Sequence, residues 1–326
     1  MITVHGLLGS PNPALQEAAA NADWVVGGLR HLDVLAVAPE RRIVLGALPP
    51  AVERIRALPD ACDVLVVASG DPTYFGIVRA LRARHLRPRV VPAPSSIASA
   101  FAAVGLPWDD AVVVSVHGRP LATAVNLARA LPKVGVLTSA ANGIRELAAA
   151  LADPTRWYVL AERLGDPEER IRILDAAEAA STEPVEPNVV LILTAPPQEP
   201  DLPWNGAVAG PAHPARPQVS AAAAVAFARL LPEPGELLGA SGPLGSEVAA
   251  LAAWAQAAVL IGAPGVIAPQ ANPDVIVADA GEAVAWLTCT PRAVVLTGDA
   301  PAELPRTYRW TSERIGDHQL TTGERA

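Results

Sequence analysis

The chain is poor in most of the residues that announce a particular chemistry. Two cysteines in 326 residues, Cys62 and Cys289, stand far apart and outside any paired spacing, so neither a disulfide framework nor a thiolate metal site is indicated. The histidines His5, His31, His85, His117, His213 and His318 show no metal-ligand spacing, which sets a histidine-built metal centre aside. Met1-Ile2-Thr3-Val4 opens directly into a strand without the basic stretch and apolar run of a secretory leader. The Ala-rich stretches are broken by Pro, Gly, Arg or Glu before they reach the length of a membrane span, so a cytoplasmic protein with no membrane partner is expected. Positive charge is scarce too. With 25 Lys and Arg against 33 Asp and Glu, the net charge of -8 argues against a nucleic-acid surface, which needs clustered cations to neutralise phosphates. A polyanionic ligand would have to be met by local arginines instead. One methionine and three phenylalanines complete the shortages, and an abundance of Ala and Pro carries no functional reading.

What is present is apolar and regularly punctuated. A hydrophobic content of 51% allows a large buried core, and the length suits two or three compact units. The chain is organised around Val66 to Gly76, V-V-A-S-G-D-P-T-Y-F-G. Cys62 to Ala68 reads as a buried strand closed by a Ser-Gly-Asp-Pro breaker. Asp71 is expected to cap a helix from Tyr74 to about Arg84, with Pro72 in its first turn. Gly70 lacks a Cβ, so a ligand can approach the backbone where unpaired N–H groups gather.

Strands are expected at Ile2–Leu8, Trp24–Gly28, Arg89–Val91, Val112–Val116, Val134–Thr138, Trp157–Ala161, Glu168–Ile173 and Asn188–Thr194. Helices are expected from about Ala14 to Ala22, Pro49 to Leu58, Ser95 or Ser96 to Val104, Ala122 to Leu131, Gly143 to Leu151 and Leu174 to Ala180. That alternation argues for α/β layers with mainly parallel sheets, whose ligands gather at the carboxyl ends of the strands. The Ser69 to Asp71 and Pro92 to Ser96 loops both lie at such ends.

These segments together resemble the tetrapyrrole (corrin/porphyrin) methylases, which use S-adenosylmethionine. The Gly-Asp-Pro turn is followed in order by V-P-A-P-S-S-I (91–97), S-V-H-G-R (115–119), V-L-T-S-A-A-N-G-I-R-E-L-A-A-A-L (136–151) and A-E-R-L-G (161–165). It is the ordered set that is specific. The His-Gly-Arg and Glu-Arg-Leu-Gly pieces are similar to the branch of cobalamin synthesis that methylates precorrin-6 at macrocycle carbons 5 and 15.

The resemblance implies an α/β fold of two units, 1–110 and 111–197, with a cofactor cleft between them. It implies a corrinoid substrate and a homodimer as well. Ser69, Gly70, Asp71, Tyr74, Ser95, Ser96 and Thr138 would contact S-adenosylmethionine. Arg119 and Arg163, with Arg30 behind them, would clamp substrate carboxylates, Glu162 would hold Arg163, and His117 would take a ring proton. Ser95, Ser96 and Asp71 also read as plain helix caps, and both roles are compatible. The alternatives are another enzyme of the same superfamily, or a scaffold that binds corrinoid or S-adenosylmethionine without catalysis. The first loop departs from the family, because Leu7-Leu8 separates Gly6 from Gly9 where a richer glycine turn is usual.

Beyond residue 197 a Pro-rich stretch over 198–217 reads as a linker, followed by a helix from Val219 to Leu231. Residues 218–326 resemble a degenerate, truncated Rossmann-like methyltransferase unit that opens with P-G-E-L-L-G-A-S-G-P-L-G-S-E (234–247). Ala240 replaces an expected acidic residue and Pro243-Leu244 stiffen the turn. The next apolar run, Ala257 to Ile261, ends in Gly262-Ala263-Pro264 with no carboxylate in reach, and Asp279 and Asp299, which end later apolar runs and could substitute, suit ordinary turns at least as well, so the unit should bind no S-adenosylmethionine. The carbon-15 chemistry would then fall to a separate methyltransferase/decarboxylase.

Overall fold

The structure is a computed structural model that describes residues 1–46, 48–199, 217–267 and 271–326. Of the linker expected over 198–217, only Gln198, Glu199 and Pro217 fall within the described residues.

The first sheet contains β1 (Ile2–Leu7), β2 (Trp24–Gly27), β3 (Arg42–Val44), β4 (Val64–Ser69) and β5 (Arg89–Val91), in the order β3-β2-β4-β1-β5. Its pairings are parallel throughout. Alternation along β4 explains why both faces are covered. Val64 and Val66 pack with Val4, Ile77 and Leu81 on one side, while Leu65 and Val67 pack with Leu7, Leu15 and Val25 on the other. A parallel sheet buried on both faces needs such a continuous apolar run, and each side chain removed from water contributes about 1.5–3 kcal/mol.

The second sheet is built from β6 (Val112–Ser115), β7 (Lys133–Leu137), β8 (Trp157–Glu162), β9 (Arg170–Leu174) and β10 (Asn188–Leu193), ordered β6-β7-β10-β8-β9. The chain's one lysine, Lys133, begins β7 with a side chain only 3% exposed, and its Nζ lies 2.9 Å from the fully buried Asp110 carboxylate.

The third sheet holds β11 (Leu237–Ala240), β12 (Ala258–Ile261), β13 (Val275–Asp279), β14 (Ala293–Thr297), β15 (Tyr308–Ile315) and β16 (His318–Arg325). Its order is β12-β11-β13-β14-β16-β15. The first four strands are parallel, and the closing hairpin adds β16 antiparallel to both β14 and β15. Val275 and Val277 bury on one face, Ile276 and Ala278 on the other. A doubly covered, mainly parallel sheet is the Rossmann-like core expected of the C-terminal segment.

The chain divides into two compact units. One comprises Met1–Trp108 with Val159–Ile173 and Pro184–Leu191; the other comprises Asp109–Tyr158, Leu174–Glu183 and Ile192–Ala326.

Candidate active site

In the first unit the loops singled out by sequence meet at the carboxyl ends of β1, β4 and β5. The N–H of Gly70 donates to the Leu7 carbonyl at 2.8 Å, and Gly70 takes φ +61°, a left-handed conformation suited to glycine. A Cβ built there would enter the gap before the β5 loop, 3.4 Å from Ser96 N and 3.6 Å from the Pro94 carbonyl. Ser95 caps the helix Ser96–Ala103 as expected, accepting the Ala98 N–H at 3.0 Å.

Asp71 does not cap the next helix. Its Oδ1 instead accepts the Thr73 N–H at 2.8 Å and the Thr73 hydroxyl at 2.7 Å, while its carbonyl accepts the Tyr74 N–H at 3.1 Å. This local turn competes with helical bonding, and Phe75 at φ +53° interrupts the chain once more. The helix therefore begins at Ile77, after Gly76, rather than at Tyr74. Tyr74 packs edge-on against Phe75 at 5.1 Å, and burial pushes its phenol pKa up.

Arg30 reaches the same turn from the segment after β2. Its guanidinium donates to Ser69 Oγ at 2.9 Å, and His31 Nε2 lies 3.3 Å from that hydroxyl. Burial first, and the Arg30 charge second, lower the His31 pKa to about 4, so the ring is neutral near pH 7. Reasoning from sequence missed His31, because its burial and its place beside Ser69 leave no mark on the residues around it in the chain.

The first loop and the Glu-Arg-Leu-Gly turn interlock. A Cβ at Gly9 (φ +71°) would lie 2.2 Å from the Gly165 carbonyl oxygen, and one at Gly165 (φ +79°) would lie 2.9 Å from Gly9 Cα. Gly9 serves this contact in place of a richer glycine loop. Arg163, itself at φ +51°, has its guanidinium 3.7 Å from Asp166 and 3.5 Å from Glu168. Glu162 does not hold Arg163: it is 1% exposed, pairs with Arg172 at 2.9 Å and accepts the Val185 N–H at 2.7 Å. Glu162 is the last residue of β8 and is buried, whereas Arg163 follows the strand in a left-handed conformation and is half-buried.

In the second unit, His117 and Arg119 occupy an exposed turn after β6, and Thr138 follows β7. Asn142 ties the turn down: its Nδ2 donates to the Val116 carbonyl at 3.4 Å and the Arg119 carbonyl at 3.3 Å. No role was assigned to Asn142 from sequence, although it lies within the quoted Ser-Ala-Ala-Asn-Gly segment.

Comparison with known proteins decides what this set of loops is. The sequence profile of the tetrapyrrole (corrin/porphyrin) methylases matches residues 12–180. The chain belongs to the tetrapyrrole methylase family. It is similar to the cobalt-precorrin-7 C(5)-methyltransferase of Salmonella typhimurium, with 34% identity over 187 residues, 56% of this chain and 90% of that enzyme. It is also 39% identical over 166 residues, 48% of this chain, to the decarboxylating precorrin-6Y C(5,15)-methyltransferase of a Sinorhizobium species. That match spans only 40% of the Sinorhizobium enzyme's length. A crystal structure of the precorrin-6Y methylase of Archaeoglobus fulgidus aligns with 23% identity and a TM-score of 0.45, covering 60% of this chain and 98% of that one.

Tetrapyrrole methylases take their methyl group from S-adenosylmethionine. The loops of this methylase fit that cofactor on their own geometry, since the Gly70 gap is one a side chain would fill and serine hydroxyls stand beside it.

The C-terminal sheet of the methylase shows a contrasting turn. The chain passes from β11 through Ser241 into the helix Gly242–Trp254, so Pro243 and Leu244 lie inside the helix and not in an open loop. Carboxylates from later in the chain reach this turn, among them Asp279, for which the sequence favoured an ordinary turn. A Cβ at Gly242 (φ +74°) would lie 2.8 Å from Asp279 Oδ2, and the Ser241 hydroxyl donates to Glu282. Asp279 ends β13 and β13 pairs directly with β11, an adjacency invisible at a separation of 37 residues. Negative charge is stabilised beside a helix N-terminus, which accounts for both acids here.

Proposed function

We propose that the protein transfers a methyl group from S-adenosylmethionine to carbon 5 of a precorrin-6-level corrinoid in cobalamin synthesis. The observation that carries this reading is the 34% identity to the cobalt-precorrin-7 C(5)-methyltransferase across 90% of that enzyme. Ser69, Gly70, Asp71, Tyr74, Ser95 and Ser96 of the first unit, with Thr138 of the second, would hold the cofactor. When bound, it supplies an electrophilic methyl group on a sulfonium.

The chain's own contribution is positioning. Holding reacting atoms in near-attack geometry can lower a barrier by about 7–11 kcal/mol, so little acid-base machinery is required. Arg119 and Arg163 would pair substrate carboxylates, Arg163 by exchanging its present contacts with Asp166 and Glu168. Arg30 would stand behind them, oriented by Ser69. His117, on its exposed turn, would accept the proton released from the ring.

The direct passage from β11 through Ser241 into the helix Gly242–Trp254, with no open glycine turn, supports a C-terminal unit without a cofactor site of its own. Carbon-15 methylation and decarboxylation would then belong to another chain. A homodimer working in the cytoplasm completes the reading.

Incubation with labelled S-adenosylmethionine and the precorrin-6-level intermediate, followed by mass spectrometry, tests it directly. A single added methyl at carbon 5 is expected; an unmodified macrocycle would refute the assignment. Arg119→Ala should raise the apparent KM and leave kcat nearly unchanged, as loss of a uniform binding contact does. A collapse of kcat at unchanged KM would remove Arg119 from the clamp.

A further inference from the structure

A basic cluster lies at the amino ends of the strands of the first sheet, beside the start of β5. β4 and β5 run parallel to β1 between them, so the helix Ile77–Arg82 must return the chain to the amino ends of the strands before β5 begins. The end of that helix and the start of β5 therefore lie away from the Gly-Asp-Pro turn. A cavity of about 600 Å³ opens there, lined by Arg82, His85 and Arg87 together with the apolar Val78, Leu86 and Val90. That volume is in the range of small-molecule pockets.

Its charge is anomalous. The chain carries a net charge of -8, yet Arg79, Arg82, Arg84, Arg87 and Arg89 crowd into one short run. Arg84 is paired with Glu53 at 2.9 Å, and Arg56 lies 4.0 Å from the same carboxylate. Among the described residues no carboxylate pairs with Arg82, His85 or Arg87. Crowded, unpaired like charges oppose folding unless an anion compensates them. His85, at φ +62°, is the left-handed residue that closes the helix Ile77–Arg82, with the Leu86 N–H donating to the Leu81 carbonyl at 3.1 Å, and this turn carries the chain from Arg82 to Arg87.

We propose that this cavity binds a polycarboxylate with an apolar skeleton, separately from the catalytic loops. Arg82, Arg87 and His85 would meet the carboxylates, while Val78, Leu86 and Val90 would receive the skeleton. A tetrapyrrole has that chemistry, and naming it as the ligand rests on the proposed methylase function. The site would hold a macrocycle before or after methyl transfer.

The experiment titrates the full chain with coproporphyrin III, a tetracarboxylate on an apolar ring, following porphyrin fluorescence. Arg82→Ala/Arg87→Ala alters exposed or half-buried side chains outside the core, so the fold is retained, as circular dichroism would verify. The double variant should lose one class of porphyrin site or bind it about tenfold more weakly, with S-adenosylhomocysteine affinity by calorimetry unchanged. Citrate, which carries carboxylates without an apolar body, should compete poorly for that class. Wild-type porphyrin binding in the double variant would overturn the proposal, as would citrate competing as well as porphyrin. Loss in Arg119→Ala alone would also overturn it while leaving the methylase function intact. Loss in the Arg82/Arg87 variant alone would support this cavity even if that function failed.

Discussion

Replacing Gly9 by alanine tests whether the first loop and the Glu-Arg-Leu-Gly turn are locked together. Two costs are expected. A left-handed backbone costs an L-residue about 1–2 kcal/mol, and Gly9 sits at φ +71°. The new Cβ would also lie 2.2 Å from the Gly165 carbonyl oxygen, a backbone atom that no rotamer change can move. Overpacking of this kind adds about 1–3 kcal/mol. Gly105→Ala provides the internal control: it lies in the same unit at φ +68°, with nothing within 4 Å of the added Cβ, and bears the strain alone. The excess of Gly9→Ala over Gly105→Ala should therefore be about 1–3 kcal/mol. Urea denaturation resolves that difference, since slopes of about 1–3 kcal/mol per molar convert it to a midpoint shift near 1 M. Calorimetry should also find a weaker affinity for S-adenosylmethionine in Gly9→Ala than in Gly105→Ala. Equal midpoints for the two variants would show that the loops do not interlock, and would remove the steric need for glycine at position 9.

Three further outcomes are expected. His31 has a pKa of about 4 in the fold against 6.5 for a free ring, so below pH 6.5 the unfolded chain binds a proton that the native state refuses. Stability should fall as pH drops from 6.5 towards 4, by about 3 kcal/mol in all, and His31→Gln should flatten urea midpoints across that window. Lys133→Met should cost about 3–5 kcal/mol by removing the ion pair from the buried Asp110 carboxylate, and Lys133→Met/Asp110→Leu should recover most of the lost melting temperature; a double variant no better than the single would contradict this. Equilibrium dialysis should give one S-adenosylmethionine per chain, unchanged by Asp279→Ala, whereas two per chain would mean that the β11 turn is a working site.

Much of this molecule was legible in the chain itself. The mostly β-branched run at Val64–Val67 and the Ser95 cap are local properties, set by side-chain shape and by hydrogen bonds a few residues long, and the structure reproduces them. The ordered motifs likewise named the family before any coordinates. The reading failed where local signals competed. Asp71 followed by proline is a sound helix start by propensity, but the same carboxylate bonds Thr73 and delays the helix to Ile77. Other features had no local signal at all. His31 beside Ser69, Gly9 against Gly165, Glu162 with Arg172 and Asp279 at the Gly242 turn join residues that only sheet pairing and loop closure bring together. Burial of His31, which lowers its pKa, is likewise a product of the packed sheet. Sequence alone determined which elements form and which family they compose, because those follow from short-range patterning. Tertiary structure decided which charges are paired, because a carboxylate's partner depends on strand order and register.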